Sequence, residues 1–265
     1  MRTRRQFLTS ATLITSFALG PIKAHAQVAS SPSKIYELRL YTANPGKLPE
    51  FQSLFRQQAL PLFAKYGIEN VFDGTVLEGA RVDGSDAHNM LVCILAHQDH
   101  AAADRSWAAF EGDAGWRAAL ERAQQNGPLL AKPAASIYMD LTDFSPALEP
   151  PAERSKTRVF ELRKYNTGPD GLARTVDQFK SGIATILSKN GMTPIAYWTA
   201  EDRSAFIYLL AHKDRGAARA SWASFMTDFR PFIAEFNARS PAPPSGNRKP
   251  DDNRFLLPTD YSPRK

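Results

Sequence analysis

Ile35-Tyr36-Glu37-Leu38-Arg39-Leu40-Tyr41 returns later in the chain as Val159-Phe160-Glu161-Leu162-Arg163-Lys164-Tyr165. Both stretches alternate with the two-residue period of a β-strand, and both keep Glu, Arg and Tyr on the same side of that alternation. Three further blocks repeat in the same order. Lys65-Tyr66-Gly67-Ile68 answers to Lys189-Asn190-Gly191-Met192. Leu95–Phe110 matches Leu210–Phe225 at ten of sixteen positions, and Thr142-Asp143-Phe144-Ser145-Pro146 returns as Thr259-Asp260-Tyr261-Ser262-Pro263. Four blocks in one order mean two copies of one unit. The spacing between blocks changes only where loops are expected, and there insertions cost little.

Each copy reads strand, helix, strand, strand, helix, strand. The expected strands are 34–42, 70–78, 88–97 and 135–142, then 158–166, 194–200, 204–212 and 253–259. Leu48, Phe51, Phe55, Leu62 and Tyr66 form a helical stripe in the first copy, and Leu172, Val176, Phe179, Ile183 and Leu187 do so in the second. Gly67 and Gly191 stand where a left-handed residue ends such a helix. Asp83-Gly84 and Glu201-Asp202 suit the turns between the middle strands. The second helical regions are 99–126 and 214–239. Within them Asp113 and Asp228 are expected to cap a restart, which would place Pro231 in a first turn.

A βαββαβ unit makes a four-stranded antiparallel sheet with both helices on one face. A unit of this size cannot leave the other face bare in water. The predicted fold class is therefore α+β, with two ferredoxin-like units, 34–144 and 157–263, packed sheet to sheet. The Pro-rich linker 145–156 joins them, and Ser240–Asp252 is a loop inside the second copy. The chain is long enough for two such domains.

Residues 1–26 carry an expected export address. A charged start precedes an apolar run of about 13 residues, and Ala24-His25-Ala26 fits a small-x-small cleavage pattern before Gln27. The run is short of the roughly 20 apolar residues of a membrane span. Thr3-Arg4-Arg5-Gln6-Phe7-Leu8 resembles a twin-arginine signal, so the expected location is periplasmic or secreted. Four of the cationic residues behind the net charge of +6 lie in this segment, which has no acid. Without it the charge falls to +2, and no nucleic-acid partner is expected. The single cysteine, Cys93, forms no internal disulfide and reads as a small buried residue.

Tyr36-Glu37-Leu38-Arg39 with Tyr41, Pro45-Gly46-Lys47 and Phe51 resembles the opening of NIPSNAP domains, as does Leu91–Trp116. The resemblance covers 34–143 well and 157–262 in part. Gly168-Pro169-Asp170-Gly171 replaces the Pro-Gly-Lys turn, and Ala220 stands where the first copy has Arg105. The resemblance implies the dimeric α-β barrel superfamily, completed here within one chain as a monomeric tandem barrel or as a homodimer of it. That superfamily includes cofactor-independent monooxygenases, isomerases and haem enzymes, so the fold does not choose the reaction.

Alternation separates Tyr36, Leu38 and Leu40 from Ile35, Glu37, Arg39 and Tyr41. The apolar set is expected under the helices. The second set, with Val159, Glu161, Arg163 and Tyr165, is then expected in the space between the sheets, where Glu and Arg require pairing. Two readings follow, a polar pocket floor lined by Tyr41 and Tyr165, or an ion-pair network that fixes docking. His97 and His212 end equivalent strands just before Asp99 and Asp214, and each His–Asp pair reads either as a general base or as the closure of the strand–helix turn with a helix cap. The candidate catalytic residues are therefore Glu37, Arg39, His97, Glu161, Arg163 and His212. Trp107 with Phe110, and Trp222 with Phe225, read as core packing. Tyr197 and Trp198 should point to opposite faces. His88 and His100 lack metal-ligand spacing, and no cofactor or metal is expected. No P-loop, dinucleotide glycine motif, CxxC, HExxH or nucleophile elbow is present. The expectation is a protein that binds a small, partly apolar molecule or a protein partner. The alternative is a monooxygenase- or isomerase-like enzyme.

Overall fold

The computed structural model describes residues 34–77, 87–148, 158–240 and 252–265. The expected signal segment, the Asp83-Gly84 turn and most of the two linkers lie outside these residues. In the first copy β1 (Ile35–Thr42) leads into α1 (Leu48–Leu54), a π-helical turn Phe55–Ala59 and α2 (Leu60–Tyr66). Then come β2 (Glu69–Val76), β3 (Met90–His97), α3 (His100–Gly112), α4 (Ala114–Ala123) and β4 (Ala135–Leu141). The second copy repeats this as β5 (Val159–Tyr165), α5 (Gly168–Gln178), a π turn Phe179–Ile183, α6 (Ala184–Lys189), β6 (Thr193–Ala200), β7 (Phe206–His212), α7 (Arg215–Arg239) and β8 (Asp252–Pro258).

The strands close into one barrel in the order β1-β3-β2-β8-β5-β7-β6-β4. Within a copy the outer strands flank the first and third, as a ferredoxin-like unit requires. Between copies, edge meets edge. β2 pairs with β8 over Gly74–Val76, and β4 pairs with β6 over Met139–Leu141. Both exposed edges of each sheet are thereby consumed.

The barrel interior is one apolar cluster drawn from both copies. It includes Tyr36, Leu38, Phe72, Ile94, Phe160, Leu162, Trp198, Leu209 and Leu256. Phe72 and Phe160 meet across it at 4.7 Å. Two separate clusters lie outside the sheet, under the helices. One holds Tyr41, Phe51, Phe55, Phe63, Leu91, Cys93 and Phe110, and the other Leu172, Phe179, Tyr197, Phe206, Tyr208 and Phe225.

This corrects the faces expected for β1 and β5. Tyr36 and Leu38 point into the barrel, while Glu37, Arg39 and Tyr41 lie under the helices, as do Glu161, Arg163 and Tyr165. The reason is supply of partners. The helix layer brings indole and imidazole donors to the charged face of each first strand, whereas inside the barrel the one buried charged side chain among the described residues, Arg254 beside Leu162 and Leu256, is answered by Asp252 at 2.6 Å. Tyr197 and Trp198 do take opposite faces, with Trp198 inside.

Asp113 caps α4 by accepting from the Trp116 amide at 3.0 Å. The expected restart at Asp228 does not occur. Asp228 lies inside one continuous helix, where the amides that follow are not the orphaned ones a cap would take, and its oxygens accept instead from Lys189 at 3.1 Å and Asn190 at 2.8 Å. α7 runs unbroken with Pro231 inside it. Its Phe232 ring packs on Gly182 so closely that a Cβ there would stand 2.3 Å from it. Gly67, at φ +79°, ends α2 in the left-handed region as expected.

A half-chain of residues 34–148 would keep bare β2 and β4 edges and an uncovered apolar face. It is expected to form a homodimer in light scattering on a sizing column. A folded monomeric half would contradict edge closure as the stabilising principle.

Candidate functional site

The polar face of β1 is organised by one carboxylate. Glu37 has no exposed surface. Its Oε1 accepts from Arg39 Nη1 at 2.8 Å and from Ser136 Oγ at 2.5 Å. Its Oε2 accepts from the Trp107 indole N–H at 2.9 Å and contacts His97 Nε2 at 3.0 Å. Each donor comes from a different position in the fold: Arg39 two residues along β1, Ser136 on β4, His97 at the end of β3, and Trp107 two turns into α3. Asp99 fixes the start of that helix by accepting from the Ala102 amide at 2.7 Å.

The second copy repeats the arrangement. Glu161 accepts from Arg163 Nη1 at 2.7 Å and from the Trp222 indole at 2.7 Å, and meets His212 Nε2 at 3.0 Å. Asp214 caps α7 as Asp99 caps α3. Asn253 occupies the register position of Ser136, opposite the strand arginine.

The histidines therefore pair with Glu37 and Glu161, not with the neighbouring aspartates. In a neutral imidazole, a carboxylate partner places the ring hydrogen on Nε2 and makes Nδ1 the acceptor. Nδ1 of both His97 and His212 is buried without a hydrogen-bond partner among the described residues. Each guanidinium lies over an indole, Arg39 at 4.1 Å from Trp107 and Arg163 at 4.3 Å from Trp222. Arg39 Nε also donates to the Tyr41 hydroxyl at 3.1 Å. In the second copy Tyr165 instead pairs with the Tyr208 hydroxyl at 2.7 Å, because Tyr208 stands where the first copy has Cys93.

Burial alone would raise the Glu37 carboxyl. His97, Arg39, Ser136 and Trp107 outweigh it and hold the group at about 2. Glu161 is lowered for the same reasons. Both are fixed anions at neutral pH and poor bases. The arginines are the members that reach solvent, with 19% and 18% of their side chains exposed against 1% and 2% for the glutamates. Chemically the network offers two cationic edges backed by indole faces, and two enclosed imidazole acceptors.

All six candidate residues thus fall into two equivalent networks. Tyr41 and Tyr165 belong to the helix layer and do not line the space between the sheets. Trp107 and Trp222 were read as packing only. Their indoles are also donors, and the signal was present in the repeat, since each Trp stands ten residues after the paired histidine in both copies. His100 contacts Glu201 at 2.6 Å across the β4–β6 seam. Among the described residues no group of three or more His, Cys, Asp or Glu could hold a metal ion.

Glu37→Gln removes the anion and strands a largely buried Arg39, so it is expected to cost about 3–5 kcal/mol in denaturant unfolding. The folded carboxyl sits below its ordinary 4.5. The stability it contributes is therefore complete above about pH 4.5 and is lost as pH falls toward 2, amounting to about 3 kcal/mol. The variant should lack that acid-side loss. An unchanged acid profile would contradict the assignment.

The NIPSNAP family profile matches residues 36–146 and 160–263. No curated protein matches the chain. Among solved structures, an anthrone oxidase-like protein aligns over 88% of this chain and 94% of its own, with TM-score 0.57 and 10% identity. A candidate monooxygenase from Fusobacterium nucleatum aligns over 86% and 94%, with TM-score 0.53 and 9% identity. Identities this low show a shared fold and nothing of the reaction. A NIPSNAP domain protein from Burkholderia xenovorans is 22% identical over 43% of this chain and 99% of its own, with TM-score 0.33. With its profile matched once in each half, this chain belongs to the NIPSNAP family.

Proposed function

We propose that this chain is an exported NIPSNAP-family binding protein that takes a small, partly apolar molecule with an anionic end. The observation that carries the reading is the state of Arg39 and Arg163. Each cation is oriented by a buried carboxylate, covered on one face by an indole, and partly open to solvent. Such an edge suits a carboxylate or enolate, and the neighbouring aromatic side chains suit an apolar body. This moves the expected site from the space between the two units to the layer between each sheet and its helices. In the barrel interior Phe72, Phe160 and Trp198 pack in one apolar cluster and have no exposed surface. A protein partner is the other occupant compatible with the same polar edges.

A cofactor-independent monooxygenase- or isomerase-like enzyme is the second reading. It draws on His97 and His212, whose Nδ1 atoms would serve as bases once Nε2 is anchored. The names of the two fold neighbours are compatible with it.

Indole-3-acetate and salicylate are suitable probes. On the binding reading they quench tryptophan fluorescence saturably in the wild type, and the Arg39→Gln/Arg163→Gln double variant loses most of that response. Oxygen uptake with anthrone stays at the buffer level. Absence of saturable quenching by either probe, with nothing retained on the protein in native mass spectrometry, contradicts binding. Anthrone-dependent oxygen uptake abolished by His97→Gln/His212→Gln would establish the enzyme instead.

Export is tested separately. Full-length protein expressed in a Gram-negative host should yield a periplasmic form beginning at Gln27, and Arg4→Lys/Arg5→Lys should abolish it. An uncleaved cytoplasmic product from the unaltered chain would overturn the export reading.

A further inference from the structure

After its last strand each copy carries Thr-Asp-aromatic-Ser-Pro, and each of these segments crosses to the other copy. Thr142 N donates to the Tyr197 carbonyl at 3.0 Å, and Ser145 Oγ accepts from the Tyr197 amide at 3.0 Å. Thr259 N donates to the Asp73 carbonyl at 3.0 Å, and Ser262 Oγ accepts from the Asp73 amide at 3.1 Å. The straps are equivalent, and what lies beneath them is not. Phe144 packs on Tyr197 at 5.4 Å, an aromatic pair. Tyr261 packs on Phe55 at 5.9 Å and covers the Asp73 side.

Asp73 has no exposed surface. It lies opposite Cys93 in the sheet, and the Cys93 thiol lies against its carboxyl. The Asn70 amide donates to Oδ2. Among the described residues Asp73 Oδ1 is buried without a hydrogen-bond partner, and the buried Thr259 and Tyr261 hydroxyls lie against each other rather than on it. The nearby cations have other partners. Arg39, on the far side of Cys93, is engaged by Glu37, and Arg56 pairs with Asp260 at 2.6 Å. The Lys265 charge favours the carboxylate, while its Nζ donates to the Thr259 carbonyl at 2.6 Å. Arg264 donates to the Val71 carbonyl at 2.7 Å and so ties the strap to the same strand.

We infer that Asp73 is a proton-operated latch for the strap Thr259–Lys265: protonated, it lets the strap stay closed over β2, and ionised, it favours the strap's opening. An ionised carboxylate in that place is short of donors, and water reaches it when the strap lifts. Tyr197 and Phe144 carry no carboxyl, so the strap Thr142–Pro146 does not respond. Burial raises the Asp73 carboxyl from 3.8 to about 6, against the smaller opposing effects of Asn70, Cys93 and Lys265. The closed strap holds the carboxyl at about 6, and a return toward the ordinary 3.8 on opening makes opening up to about tenfold easier at pH 7.5 than at pH 5.

Hydrogen–deuterium exchange of the mature protein at the two pH values, corrected for the chemical exchange rate, tests this directly. Peptides covering 69–77 and 255–265 should lose up to about tenfold in protection at pH 7.5, while 142–148 holds constant. Asp73→Asn should abolish the step and keep the strap protected at pH 7.5. An infrared difference spectrum should show a protonated carboxyl band at pH 5 that is lost at pH 7.5. Equal protection of 255–265 at both pH values in the wild type would overturn the latch, and so would a step shared by 142–148. The wild-type comparison decides even if Asp73→Asn fails to fold.

Discussion

Edge closure is the constraint on which the rest depends. A four-stranded sheet covered by helices on one side leaves two rows of unpaired backbone groups and one apolar face. Joining β2 to β8 and β4 to β6 removes both liabilities, though each seam pairs only three residues on a side. Inside, Tyr36, Leu38, Phe72, Phe160, Trp198 and Leu256 pack together from both copies, and the charged face of each first strand lies outward under its helices.

There the same problem is solved twice. A buried carboxylate is costly unless every lone pair finds a donor. Glu37 recruits a strand neighbour, an adjacent strand, a strand end and a helix. Glu161 repeats all but the serine. The result ties sheet to helix layer and orients two arginines whose edges reach solvent. The copies have drifted around this shared frame. Cys93 and Asp73 in the first correspond in register to Tyr208 and Tyr197 in the second. One half therefore holds a buried titratable acid where the other holds an aromatic pair.

The repeat made the architecture readable. Strand limits fell within about two residues, and the capping roles of Asp99, Asp214 and Asp113 followed from local pattern. The faces of β1 were misassigned for a physical reason. Alternation says which residues share a side but not which side is inside, and the helix layer is less apolar than the barrel interior. Trp107 and Trp222 were legible as helix-face residues, but helical spacing carries no information about an indole N–H. Asp228 has the pattern of Asp113 but lies within the continuous helix α7, where no amide is left for it to cap. Asp73 gave no signal at all, because its isolation depends on Tyr261, which is nearly two hundred residues away in the chain.

The central claim is that Glu37 and Glu161 are buried anions held by donors from the helix layer. The indole N–H resonances of Trp107 and Trp222 report on it directly. At neutral pH both should be shifted downfield and protected from exchange relative to Trp116, with each signal assigned by its Trp→Phe variant. Indole resonances of Trp107 and Trp222 at ordinary solvent-exposed positions, exchanging as fast as Trp116, would contradict it.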